Sequence, residues 1–184
     1  MDIEKATPQH LPGILDVVRA NSFEQSDTAE RARRGFLVSA FTESDYRRFI
    51  TYDDHFYVGL IEDSVIGFVL AYRRAFIDRS EWLNWRLREH FQHDFTLIKQ
   101  VAVHPARIGL GFGVELYEHL LRLTDPLPAL AAIVLVPPNE ISIRFHERFG
   151  FVKIAEGTPP DGMPRGVWAI RMPGLAEHSL IMLD

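Results

Sequence analysis

Cysteine is missing from the 184 residues of the chain, so disulfides, thiolate zinc sites and a cysteine nucleophile are excluded. The absence agrees with a reducing, cytoplasmic setting. Long apolar runs are missing as well: no stretch approaches the roughly 20 apolar residues of a membrane-spanning helix. The opening Met1-Asp2-Ile3-Glu4-Lys5 is acidic and then amphipathic, unlike a secretory leader, and the reading is of a soluble, unexported protein with no membrane partner. Nor is there a stripe of one charge. Lys and Arg number 20 against 25 Asp and Glu, and the scattered net charge of −5 argues against nucleic acid as a partner while leaning faintly toward cationic ones such as amines. The length fits a single domain over residues 1–184, which would bury about 70% of the surface its unfolded chain exposes.

What the chain does have is a strand, a glycine loop and a helix in succession over residues 97–124. Leu97 to Val103 is rich in β-branched residues and stops before Pro105, which cannot donate to a sheet ladder. Gly109, Gly111 and Gly113 alternate through the turn that follows, where missing side chains let another molecule approach the backbone. Val114, Leu116, Tyr117, Leu120, Leu121 and Leu123 then recur at helical spacing, and the first amides of such a helix lack intrahelical partners. Those amides and the positive end of the helix dipole suit a phosphate or pyrophosphate, although glycines that only tighten a strand-to-helix turn give the same spacing.

A second segment follows. Ala129 to Val136 reads as a buried strand broken by Pro137-Pro138; Asn139 then starts a helix whose apolar face is Ile141, Phe145 and Phe149, closed by Gly150. Phe151–Glu156 and Gly166–Met172 read as a closing hairpin, and the tail beyond Pro173 carries no signal.

Upstream, Ile3–Ala6 is a short strand, and Thr7-Pro8 offers a helix start with Leu11, Ile14, Leu15 and Val18 on one face. Residues 22–34 are polar and read as a solvated loop or a second amphipathic helix; Gly35–Phe41 is an apolar run, taken as core rather than lid. Thr42–Asp45 caps a helix carrying Tyr46, Phe49 and Ile50, and two strands, Phe56–Ile61 and Val65–Tyr72, form a hairpin across Glu62-Asp63-Ser64. Residues 76–95 hold Trp82, Trp85, Leu87 and Phe91 among arginines and read as an inserted helix, which either packs its aromatic face as core, caps a pocket, or meets a second copy in a homodimer. His90, His93 and Asp94 lack a further ligand nearby, so no metal site is assigned.

Val101-Ala102-Val103-x-Pro105 with Gly111-x-Gly113-x-x-Leu116, followed by Asn139-x-x-Ser142-Ile143-x-Phe145-His146-x-x-x-Gly150-Phe151, resembles the two signatures of the GCN5-related N-acetyltransferase (GNAT) superfamily in their usual order. The resemblance implies an α/β fold of GNAT type. Its mixed, mostly antiparallel sheet of about six to seven strands would be flanked by helices, with a helical insertion between the third and fourth strands. The cofactor-binding half would span residues 95–172. Acetyl-CoA is the implied co-substrate: the main chain of Val101, Ala102 and Val103 would meet its pantetheine arm, the amides of Gly109, Leu110, Gly111, Phe112, Gly113 and Val114 its pyrophosphate, and Asn139 its arm. The loop after the first helix would line the acceptor.

The implied activity is acetyl transfer to a primary amine of a small molecule, peptide or protein by direct attack in a ternary complex. Where the family commonly has a tyrosine that protonates the leaving thiolate, this chain has His146, a candidate donor or a cofactor contact. Arg107 stands one position away from the family's usual phosphate-side arginine or glutamine, which is Ile108 here. No carboxylate occupies residues 132–136, leaving His104, Asp94, Glu140 and Tyr57 as candidate bases. The competing reading is a non-catalytic acyl-CoA sensor or regulatory module of the same fold. A dinucleotide-binding domain is disfavoured, because the hairpin before the glycine loop implies a mixed sheet.

Overall fold

The computed structural model describes residues 1–38, 41–52, 54–174 and 180–183. Its eight strands form a sheet in the order β1-β2-β3-β4-β5-β7-β6-β8, and the chain groups into two compact units, residues 1–71 with 99–123 and residues 72–98 with 124–184. The strand β4 (Thr96–Val103) runs from the second unit into the first.

In the first unit, β1 (Asp2–Lys5) pairs antiparallel with β2 (His55–Ile61), and β2 with β3 (Ser64–Arg73). Glu62 and Asp63 turn that hairpin with φ of 48° and 61°, the primed geometry whose twist matches the flanking strands. Alternation places Phe56, Val58 and Leu60 of β2 and Phe68 and Leu70 of β3 in one buried cluster. Against it lie Leu11, Ile14 and Val17 of α1 (Leu11–Ala20) and Tyr46 and Phe49 of α3 (Glu43–Tyr52). Each such side chain contributes on the order of 1.5–3 kcal/mol by leaving water. The helix α1 begins later than the Thr7-Pro8 start predicted, because residues 8–10 wind as a 3-10 turn with His10 N donating to Thr7 O at 3.0 Å. Its innermost third position is Val17 rather than Leu15 or Val18, which are only partly buried.

The polar segment after α1 contains a real helix, α2 (Thr28–Arg34), started by a capping box. Asp27 Oδ1 accepts from Glu30 N at 2.8 Å, and Glu30 Oε2 accepts from Asp27 N at 3.1 Å. Of the apolar run 35–41, Phe36 is buried as core; Ser39 and Ala40 lie outside the described residues.

In the second unit, residues 96–98 of β4 pair parallel with β5 (Ala129–Val134), β5 pairs antiparallel with β7 (Arg165–Ile170), and β7 with β6 (Val152–Gly157). The strand β5 ends two residues earlier than predicted. Leu135 N instead donates to Pro164 O at 2.8 Å, and Asn139 N to Val134 O at 3.0 Å. The tail supplies β8 (Ile181–Leu183), parallel to β6, which raises the strand count among the described residues to eight. The insertion is α4 (Trp82–His90): Leu83 and Leu87 are core, with Trp82 and Trp85 packed against it. Arginines cover both indoles, Arg86 lying 3.7 Å and Arg88 4.6 Å from the ring centres. The helix α6 (Glu140–Arg148) turns a face other than the one predicted inward: Ile141, Phe145 and Phe149 are half-buried, and His146 is its buried residue. A 2.7 Å bond from His146 Nδ1 to Ser142 O, one turn back, and ring contacts with Phe145 and Phe151 make that burial tolerable.

Candidate active site

The loop between β4 and α5 (Phe112–Leu123) belongs wholly to the first unit. A 3-10 turn over Pro105–Arg107 leaves the strand, and Gly109 and Gly111 follow with φ of 84° and 86°, left-handed values that other residues adopt only under strain. An added Cβ at either would meet nothing within 4 Å. Conformation, not crowding, therefore requires glycine there. Gly113 differs from the prediction: it lies inside the first turn of α5, which starts at Phe112, and has no positive φ. Helical geometry suits it without special freedom.

The consequence is a row of donors. The amides of Gly109, Leu110, Gly111, Phe112 and Gly113 have no hydrogen-bond partner among the described residues, whereas Val114 N and Glu115 N donate to Gly111 O at 2.9 and 3.1 Å. The side chains of Leu110 and Val114 are 59% and 41% exposed, so what the loop presents in common is main chain and the positive end of a helix of 12 residues. An anion of pyrophosphate type fits this donor set. Arg107, just upstream, is exposed and carries no carboxylate partner among the described residues.

The strand leading into the loop is anchored on its α1 side. Ala102 is buried in the α1–α3 cluster, Val101 and Val103 are half-buried, and His104 N donates to Ile66 O at 2.8 Å. Val103 O accepts from Asn21 Nδ2 at 3.1 Å, a bond the sequence did not announce because its partners lie 82 residues apart. Next to it, Tyr46 OH donates to Gln100 Oε1 at 2.7 Å, both residues almost fully buried. Burial with that bond in place pushes the Tyr46 hydroxyl well up, and Gln100 Nε2 has no partner among the described residues.

The other two predicted residues belong to the second unit. Asn139 is 7% exposed and caps α6, Oδ1 accepting from Ser142 N at 3.4 Å. His146 is 3% exposed, and burial lowers its imidazole to about 4 despite the bond to Ser142 O. At neutral pH the ring is uncharged. Since Ser142 O can only accept, Nδ1 carries the single proton and Nε2 carries none.

Of the candidate bases, His104 and Tyr57 belong to the first unit and Asp94 and Glu140 to the second. His104 Nδ1 accepts from Ala106 N at 3.3 Å and its Nε2 lies 3.7 Å from Asp16 Oδ2. Tyr57 stacks edge-on to His119 at 4.8 Å, and burial, then the Asp54 charge, raise its phenol. Asp94 Oδ1 accepts from Phe95 N at 3.1 Å, and Glu140 is exposed in the first turn of α6. His93 Nε2 lies 3.0 Å from Met172 Sδ, and among the described residues no three His, Asp or Glu side chains converge as a metal site. No helix among them is long and apolar enough to cross a membrane.

A strand that ends in a glycine loop opening a helix, within a mixed sheet flanked by helices, defines a protein of α/β class. The model of the acetyltransferase (GNAT) family matches residues 23–151, and the chain belongs to that family. No curated protein matches it by sequence. Among solved structures, Naa20 of Chaetomium thermophilum in complex with a bisubstrate analogue is similar at a TM-score of 0.69 and 14% identity, covering 97% of this chain and 91% of that one. Ard1 from Thermoplasma volcanium gives 0.62 and 18%, covering 92% and 95%. The ribosomal-protein-S18-alanine N-acetyltransferase from Escherichia coli gives 0.60 and 12%, covering 92% of each chain. At such identities these likenesses speak to the fold.

Proposed function

We propose that the protein transfers the acetyl group of acetyl-CoA to a primary amine by direct attack in a ternary complex. The observation that carries the reading is the row of five open amides from Gly109 to Gly113 at the head of α5, built for a diphosphate. The main chain of Val101, Ala102 and Val103 takes the pantetheine arm, with one of the two acceptor positions of the Val103 carbonyl held by Asn21. With no cysteine in the chain, no cysteinyl acyl-enzyme forms.

His146 fits the proton-donor role poorly. A neutral ring whose one proton is bonded to Ser142 O has none to give at Nε2, so its contribution is to hold α6 in place. The departing thiolate then takes the proton the attacking amine loses. No general base is assigned among His104, Tyr57, Asp94 and Glu140, and the amine reacts as its neutral fraction. The rate constant kcat/KM should accordingly rise about tenfold per pH unit up to the amine's own pKa. The Escherichia coli structural relative is named for an alanine of a ribosomal protein, which puts peptide amino termini beside small amines in a first panel.

The second reading is a non-catalytic acyl-CoA sensor, favoured by the wholly apolar β5 and by the neutral His146. Release of free thiol from acetyl-CoA in the presence of the amine panel separates the two. Turnover supports the enzyme; CoA binding with silence across the panel supports the sensor, and no binding at all overturns both.

A further inference from the structure

Asn21 ends α1, and its carboxamide bonds in two directions. Nδ2 donates to Val17 O in the last turn of the helix at 2.8 Å and to Val103 O at the end of β4 at 3.1 Å. Its own main-chain carbonyl accepts from Leu37 N at 2.8 Å, Phe23 N donates to Leu37 O at 2.9 Å, and Ser22 and Leu37 form a parallel bridge. The residue is 6% exposed. A carboxamide so buried keeps its bonds only while every partner stays in place, because an unmade one leaves a desolvated polar group. One side chain thus ties the segment that follows α1 to the last carbonyl of the strand entering the donor loop.

We propose that Asn21 is a positioning residue that carries occupancy of the cofactor strand to the segment after α1: filling the main chain of β4 with the thioester arm tightens residues 21–37 through Val103 O, Asn21 and Leu37. The proposal rests on the acetyl-CoA reading above. It differs from a purely structural role in one respect. A residue that only stabilises the fold would change local exchange equally with and without CoA, whereas a coupling residue changes the response to CoA.

Hydrogen exchange of the full chain with and without CoA, beside calorimetry of CoA binding, tests this. In the natural protein CoA should slow exchange at the amides of Phe23 and Leu37 by about fivefold or more, the low end of an allosteric coupling. In Asn21→Leu that slowing should vanish while CoA affinity stays within about twofold. If CoA binds yet leaves both amides of the natural protein unaffected, or if Asn21→Leu keeps the full slowing, the coupling is wrong and the acetyl-CoA reading survives. If calorimetry shows no CoA binding, both fall together. Should Asn21→Leu fail to fold, Asn21→Ser, smaller and still holding one donor, takes its place, with a reduced slowing expected and an undiminished one overturning the proposal.

Discussion

Acid should unfold this protein in part through one histidine. The His146 imidazole is 3% exposed, bonded through Nδ1 to Ser142 O, and lowered by burial to about 4, against roughly 6.5 in an unfolded chain. The unfolded chain therefore binds a proton that the folded chain refuses. Stability from this group is complete above about pH 6.5, declines as pH falls through the interval, and is lost in full below about pH 4. The loss works out at about 2 kcal/mol by pH 5 and about 3 kcal/mol at the acid limit. Replacing the ring by His146→Phe removes the bond to Ser142 O, at a cost of about 1 kcal/mol that does not depend on pH. Urea unfolding of both proteins at pH 7.5 and pH 5.0 isolates the titration: the natural protein should lose about 2 kcal/mol more than the variant between the two conditions. Equal losses would refute the neutral, buried state, and with it the argument against His146 as proton donor.

Gly111→Glu forces a side chain into a left-handed position and sets a carboxylate beside the amide row; calorimetry should show CoA binding abolished, and unchanged affinity would remove the loop from the account. Tyr46→Phe strips Gln100 Oε1 of its donor inside the core and should cost about 1–3 kcal/mol in urea unfolding. Adding Gln100→Leu should recover part of that loss, since two apolar groups leave nothing unpaired; a further loss in the double variant would show that the amide has another use.

The parts of the fold written in local chemistry were legible in the chain. Gly109 and Gly111 mark left-handed positions, Pro105 ends a strand, Asn139 caps the helix it precedes, and the short polar link Glu62-Asp63-Ser64 between two apolar strands makes the hairpin of β2 and β3. What stayed hidden depends on partners distant in sequence. Asn21 is an ordinary helix-end residue until Val103 arrives 82 residues later, and Tyr46 meets Gln100 at a separation of 54. The eighth strand is three residues long, below what periodicity can register. His146 lies one position from the face that spacing selected in α6. Its burial rests on the turn-internal bond to Ser142 O and the edge of Phe151, neither of which an apolar pattern encodes. Gly113 shows the opposite error: spacing grouped it with its two neighbours, although the helix had already begun.

The amide row can be observed directly. In an NMR titration of the isotope-labelled full chain with CoA, the backbone amides of Gly109, Leu110, Gly111, Phe112 and Gly113 should shift together and saturate at one common dissociation constant. Saturable shifts confined to other residues, with these five unmoved, would contradict the claim that the turn between β4 and α5 holds the diphosphate.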